Sequence, residues 1–289
     1  VVENTITVTA YDIDNLSTPE TLKVYRESKK GEIWAAVIGI NQYKDSKLNL
    51  KYARNDAEAF ADYLKMNMGL DSNHIFELYD EKATMKEIKS VLGKKLRQKA
   101  SKPEDTVYIF FAGHGAPEEA SSAPDEDKVR KYILSYDADP EELYATAIKM
   151  DDIAEIFNDI NAERIIFIID SCYSGAGGGS RPPILTQRSR ALLSDDFLNR
   201  LAQGKGRVIL TSSNPNEVSK ESDELKHGFF TYYLLEGLKG KADINDDKII
   251  DIDEISFYLN KVVPDKTNGE QHPVKKSVAE GQVVIGRVR

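Results

Sequence analysis

Four short segments of this chain carry apolar side chains at consecutive rather than alternate positions, and that pattern narrows the folds open to it. Ile33-Trp34-Ala35-Ala36-Val37-Ile38-Gly39-Ile40 is the first, and residues 106–111, 164–169 and 207–212 are the others. A strand with one solvated face alternates polar and apolar residues. A strand apolar on both faces needs cover on both, as in a parallel sheet between helices. Segments with helical spacing separate the runs. Ala53, Ala57, Phe60, Ala61 and Leu64 mark a helix within 50–66, and others are expected over 84–96, 151–160, 229–238 and 255–262. Thr84 followed by Glu87 reads as a capping box at a helix start. A shorter strand is expected at 74–79. Buried strands alternating with helices predict an α/β domain with a mostly parallel sheet, whose chemistry gathers beyond the carboxyl ends of its strands.

Residues 1–30 read differently. Thr5-Ile6-Thr7-Val8-Thr9-Ala10 and Thr21-Leu22-Lys23-Val24-Tyr25 alternate polar and apolar, with Asp12, Asp14, Asn15, Ser17 and Pro19 between them as a turn cluster. The expectation is a β-hairpin with one buried face. It resembles the last two strands of the immunoglobulin-like modules found in secreted proteins, which leans the location toward the extracytoplasmic side. The second domain then covers 31–289. Residues 116–128 and 175–190 break the strand–helix rhythm and read as mobile loops.

Two residues at strand ends carry the chemistry. His114 follows the run at 106–111 and sits between Gly113 and Gly115. Cys172, the single cysteine, follows the run at 164–169 in Asp170-Ser171-Cys172-Tyr173-Ser174-Gly175. A lone cysteine is more often a small buried hydrophobe, and a lone histidine a turn residue. At the same edge of one sheet the two make a nucleophile and its proton acceptor, because the thiolate is the reactive form and a nearby imidazole promotes it. His74, His227 and His272 lack such a setting. One cysteine excludes an intrachain disulfide and a Cys-based zinc site.

Phe110-Phe111-Ala112-Gly113-His114-Gly115 together with Asp170-Ser171-Cys172-Tyr173-Ser174-Gly175 resembles the caspase-like cysteine peptidases. The form Asp-Ser-Cys-x-Ser-Gly is that of the metacaspases, and it departs from the Gln-Ala-Cys motif of the caspases. The resemblance covers about residues 32–263. It implies a six-stranded sheet flanked by helices, a His114–Cys172 dyad, and an oxyanion held by backbone N–H groups of Gly115 and Cys172. Metacaspases cut after Arg or Lys, and Asp170 stands where they place a pocket carboxylate. Asn55-Asp56 resembles the family's Asn-Asp element, which makes Asp56 the second one. Residues 211–214 and 219–221 resemble the strand bordering the pocket, with Ser212 and Glu221 as further contacts. A slip in that alignment would put Lys220 in place of Glu221. Arg181, Arg188 and Arg190 lie in a loop where family members are often processed, so they are candidates for self-cleavage.

Residues 243–254 match a twelve-residue EF-hand loop. Asp243, Asn245, Asp247, Asp251 and Glu254 offer side chains and Ile249 its carbonyl, with Lys248 at the position normally held by glycine. Calcium is therefore the one cofactor suggested, and none is required for the chemistry. Asp and Glu number 48 against 39 Lys and Arg, a net charge of −9, which argues against nucleic acid as a partner. The apolar run at 165–169 is too short to span a membrane. The expected partner is a protein or peptide with a basic residue before the scissile bond, and a monomer is favoured. Three alternatives stand beside this reading: the same dyad with another specificity, a non-catalytic interaction module of the same fold, and a calcium-sensing scaffold.

Overall fold

The computed structural model describes residues 2–14, 17–26, 31–125, 128–171, 195–204, 206–214, 217–278 and 281–288. The chain divides into two compact units, Val1–Gly31 and Glu32–Arg289.

In the first unit β1 (Val2–Tyr11) and β2 (Ser17–Arg26) form an antiparallel hairpin, with Ile6 opposite Leu22 and Thr9 opposite Pro19. Ser17 and Pro19, expected in the turn, belong to β2. Ile6, Val8 and Leu22 fall on one face of this hairpin. Two strands make a single layer, and a buried face requires a second.

The second unit begins with β3 (Ile33–Gly39), α1 (Ala53–Asn67) and β4 (Ile75–Tyr79). α2 (Met85–Ser90) runs on through a π-turn over Val91–Leu96, and β5 (Thr106–Gly113) follows. Next come β6 (Gly115–Glu119), β7 (Val129–Ile133), β8 (Ile148–Lys149), α3 (Met150–Asp159) and β9 (Arg164–Ser171). Then follow α4 (Asp195–Leu201), β10 (Arg207–Thr211), the short β11 (Glu221–Ser222) and β12 (His227–Gly228), and α5 (Phe229–Glu236). β13 (Ile249–Asp251), α6 (Ile252–Lys266), β14 (Val274–Ser277) and β15 (Val284–Arg287) end the chain.

The apolar runs form the centre of a six-stranded sheet of order β14-β10-β9-β5-β3-β4, parallel except for β14. Side chains along each strand alternate between two cores. Trp34, Ile38, Val107, Ile109, Ile165 and Phe167 face α2, α3 and α4. Val37, Tyr108, Phe110, Ile166 and Ile168 face α1, α5 and α6. α1 crosses on one face and α2 on the other, so the strand order reverses between β3 and β5. Loops leaving the carboxyl ends of those two strands therefore diverge and leave a crevice, where α/β proteins bind ligands.

Two local expectations change. Residues 116–128 are not simply a loop, because β6 pairs with β7 and Ala123 and Asp125 are buried. Asp125 accepts from Lys131 and Arg200, an ion cluster that ties this hairpin to α4. At α2 the Thr84 hydroxyl accepts from Glu87 N–H at 3.2 Å, which is half of a capping box. The Glu87 carboxylate instead faces Lys95 at 3.6 Å.

Candidate active site

His114 leaves the end of β5 and is 5% exposed. Its Nε2 lies 2.8 Å from the Leu48 carbonyl. A carbonyl only accepts, so Nε2 carries the proton and Nδ1 is the basic nitrogen. Leu48 ends a 3-10 turn (Ser46–Leu48), and its carbonyl is one of the acceptors a helix end leaves without a partner. The His114 N–H donates to the Tyr43 hydroxyl at 2.8 Å, and the Tyr43 ring packs on the imidazole with centroids 5.3 Å apart. Asp80 holds this β3 loop by accepting from the N–H groups of Asn41 and Gln42 and pairing with Arg54. Tyr43 also explains Gly113, where a Cβ would stand 2.8 Å from the Tyr43 hydroxyl. Neither Tyr43 nor the Leu48 carbonyl carries a motif, so neither was legible in the sequence. Gly115 starts β6 opposite Ile133 and is buried.

Ser171 and Gly113 are paired across β9 and β5, and they directly precede Cys172 and His114. Cys172, Arg181, Arg188 and Arg190 lie outside the described residues.

Asp56, Asp170, Ser212 and Glu221 come together from α1, β9, the end of β10 and β11. Asp56 and Asp170 are each 2% exposed. Asp170 accepts from Ser219 at 2.7 Å, from Thr231 at 2.6 Å and from the Ser212 hydroxyl. Asp56 accepts from Gly228 N–H at 3.0 Å, and His227 Nδ1 lies 2.7 Å away. Glu221 accepts from Tyr52 N–H at 2.9 Å. Gly228 runs between the two aspartates: a Cβ there would lie 2.8 Å from Asp170 Oδ2 and 3.1 Å from Asp56 Oδ2.

Among the described residues no lysine or arginine is paired with these three carboxylates. Lys51, beside Glu221, gives its ammonium to Asp223 at 2.9 Å. Burial pushes the Asp56 carboxyl well above the usual carboxylate range, the Asp170 charge pushes it further, and Gly228 N–H opposes both. Asp170 is also raised by burial, against its three hydroxyl donors. Glu221 is raised by burial and by Asp170. Burial lowers His227. Glu221 lies beside these aspartates, whereas the Lys220 side chain pairs with Glu270. His227, without a special setting in the sequence, touches Asp56. Ser219, Thr231 and Gly228 also bond to these aspartates, and no spacing rule would have found them.

The acidic loop at 243–254 is built differently. Asp243 accepts from the N–H groups of Asp247 and Lys248, and Asn245 from that of Asp247. Asp251 and Glu254 form a reciprocal capping box at the start of α6. Lys248 has φ +63°, so the left-handed turn expected of a glycine is made by lysine. Among the described residues no group of three or more carboxylate, imidazole or thiol side chains converges on one point. No described helix is long and apolar enough to cross a membrane.

A parallel-rich sheet, a histidine at one strand end and a paired strand end leading into the cysteine define the caspase-like class of α/β proteins. The caspase domain family model matches residues 32–281, and the chain belongs to that family. Metacaspase-1 of Plasmodium falciparum (isolate 3D7) is 29% identical over 150 residues, 49% of this chain. That match covers only 24% of the relative's own length. The fold is shared with protein GSU0716 of Geobacter sulfurreducens, at a TM-score of 0.60 and 15% identity, over 89% of this chain and 100% of that one. Caspase-1 of Spodoptera frugiperda gives a TM-score of 0.51 at 14% identity, over 90% and 92% of the two chains.

Proposed function

We propose that the protein is a cysteine endopeptidase that cuts after Arg or Lys. The gathering of buried Asp56 and Asp170 with half-buried Glu221, unmatched by a lysine or arginine among the described residues, carries this reading. A substrate guanidinium or ammonium supplies the missing charge and takes charge-assisted hydrogen bonds. Asp170 stands two residues before Cys172, so the pocket and the nucleophile share one strand end.

The dyad works as follows. His114 Nδ1 takes the Cys172 thiol proton, and the thiolate attacks the scissile carbonyl. Backbone N–H groups of Gly115 and Cys172 hold the oxyanion. The imidazolium returns its proton to the leaving amine, and water hydrolyses the thioester. The Nε2 bond to Leu48 fixes the tautomer this requires. No organic cofactor takes part.

Matched peptides ending in Arg, Lys or Asp test the pocket: cleavage after Arg or Lys is expected, and faster cleavage after Asp overturns it. A non-catalytic module would leave Cys172 unlabelled by a thiol-reactive peptide probe. The reading extends to two further points. The enzyme processes itself at Arg181, Arg188 or Arg190; identical fragments from wild type and Cys172→Ala would refute this. The 243–254 loop binds calcium through Asp243, Asn245, Asp247, Ile249, Asp251 and Glu254, and the left-handed turn at Lys248 supports it. Calcium should then raise the melting temperature of the wild type and not that of Asp243→Ala.

A further inference from the structure

Gln271 lies between α6 and β14, far in sequence from the pocket, and its side chain is wholly buried. Its Nε2 donates to the Ser212 carbonyl at 2.9 Å and to the Ser219 hydroxyl at 3.3 Å. Its Oε1 accepts from Lys220 N–H at 3.0 Å. One amide thus ties together both legs of the segment between β10 and β11. Its neighbours reinforce the tie: His272 N–H donates to Glu217 at 2.6 Å, His272 Nδ1 lies 2.7 Å from the same carboxylate, and Glu270 pairs with Lys220.

The order of donors gives these bonds a direction. An amide Nε2 only donates, so toward Gln271 the Ser219 oxygen is an acceptor. Its proton is left for Asp170 Oδ1, 2.7 Å away. A chain of hydrogen bonds polarised one way strengthens each member.

We propose that Gln271 is a positioning residue for recognition of the basic side chain, because its amide starts the chain Gln271 to Ser219 to Asp170 that aims the Ser219 proton at the pocket carboxylate. This rests on the proposed pocket and deepens it. The hydrogen bonds of the Gln271 side chain go to Ser212, Ser219 and Lys220. Gln271 acts by holding Asp170 in its ionised, hydrogen-bonded form beside Asp56 and Glu221, with His227 against Asp56, Lys51 near Glu221 and the Ser212 and Thr231 hydroxyls on Asp170.

Gln271→Glu reverses the chain while keeping the shape. The new carboxylate competes for the Ser219 proton and adds a buried negative charge near Asp170. The expected result with an Arg-ending peptide is a KM about tenfold higher at neutral pH, the size of one charge-assisted hydrogen bond, with kcat within about twofold. The pH below which KM rises should also move upward. Gln271→Met, which removes the donor without adding charge, should raise KM less and leave that pH in place. If Gln271→Glu fails to fold, Gln271→Met carries the KM test. An unchanged KM in both variants, or a fall in kcat without a rise in KM, overturns the proposal. Asp170→Asn separates the two ways of failing. If it leaves KM unchanged, the pocket reading fails and the Gln271 proposal with it. If it raises KM and the Gln271 variants do not, the Gln271 proposal alone fails.

Discussion

Two acidic clusters of similar composition sit in this chain and do opposite things with their charge. In one cluster, Asp56, Asp170 and Glu221 are drawn together from three distant segments, the two aspartates buried and the glutamate half-buried, and burial raises all three carboxyls. In the 243–254 loop the carboxylates are neighbours in sequence and close on their own backbone amides. A loop that satisfies its own acceptors gains a turn and a helix cap. A buried acidic cluster left without a matching cation would store repulsion, which is why the proposed reading gives this one a basic ligand. Acidic residues are thus informative about binding when the fold isolates them, and much less so when they merely crowd together in sequence.

The largest expected effect that would break this contrast lies at Asp170. Asp170→Asn should cut kcat/KM for Arg- and Lys-ending peptides by about 10²–10³-fold, the cost of leaving one side of a buried pair uncompensated. A matched change in the loop, Asp247→Asn, should leave kcat/KM within about twofold in calcium-free buffer, since that side chain accepts from the nearby Ile249 N–H. Equal losses in the two variants would erase the distinction.

Stability sharpens the contrast from the other side. The carboxyl of Asp56 is raised above its unfolded value of about 3.9, so the folded protein holds that proton more tightly than the unfolded chain. Its contribution to stability is fully present below the unfolded pKa and is lost as pH rises through the raised one. Asp56→Asn removes that penalty, because an amide oxygen still accepts from Gly228. Melting scans should show the variant several degrees above wild type near neutral pH, with the gap closing toward pH of about 4. A variant less stable at every pH would mean that Asp56 is there for structure. The smallest effect belongs to the helix cap: Asp251→Ala should lower unfolding free energy by about 1 kcal/mol in denaturant titrations, with no change in peptide specificity.

Much of the fold was legible because its strands are buried on both faces, and continuous apolar runs have few other homes. The helices were legible where spacing persists, although α6 begins at Ile252, earlier than its apolar stripe, because Asp251 caps it. The hairpin strands run longer than their alternation. Residues 116–128 misled because a Pro- and Ala-rich segment reads as irregular, whereas Ala116 and Pro117 pair with Tyr132 and Lys131. In the site, His114, Asp56 and Asp170 carried motif or strand-end signals. Tyr43, the Leu48 carbonyl, His227 and Gln271 did not, because each acts through a contact with a residue remote in sequence.

By itself the sequence determined the layered α/β architecture, the placing of His114 and Cys172 after two buried strands, and the membership in a peptidase family that follows. Hydrophobic periodicity and a short motif are local properties, and a chain displays them before it folds. Only the tertiary structure decided that Asp56, Asp170 and Glu221 come together without a paired lysine or arginine among the described residues. It also decided that Leu48 sets the tautomer of His114 and that Gln271 stands behind Asp170. Those are relations between groups brought together by packing, and their energies depend on burial and distance, which exist only once the sheet has formed.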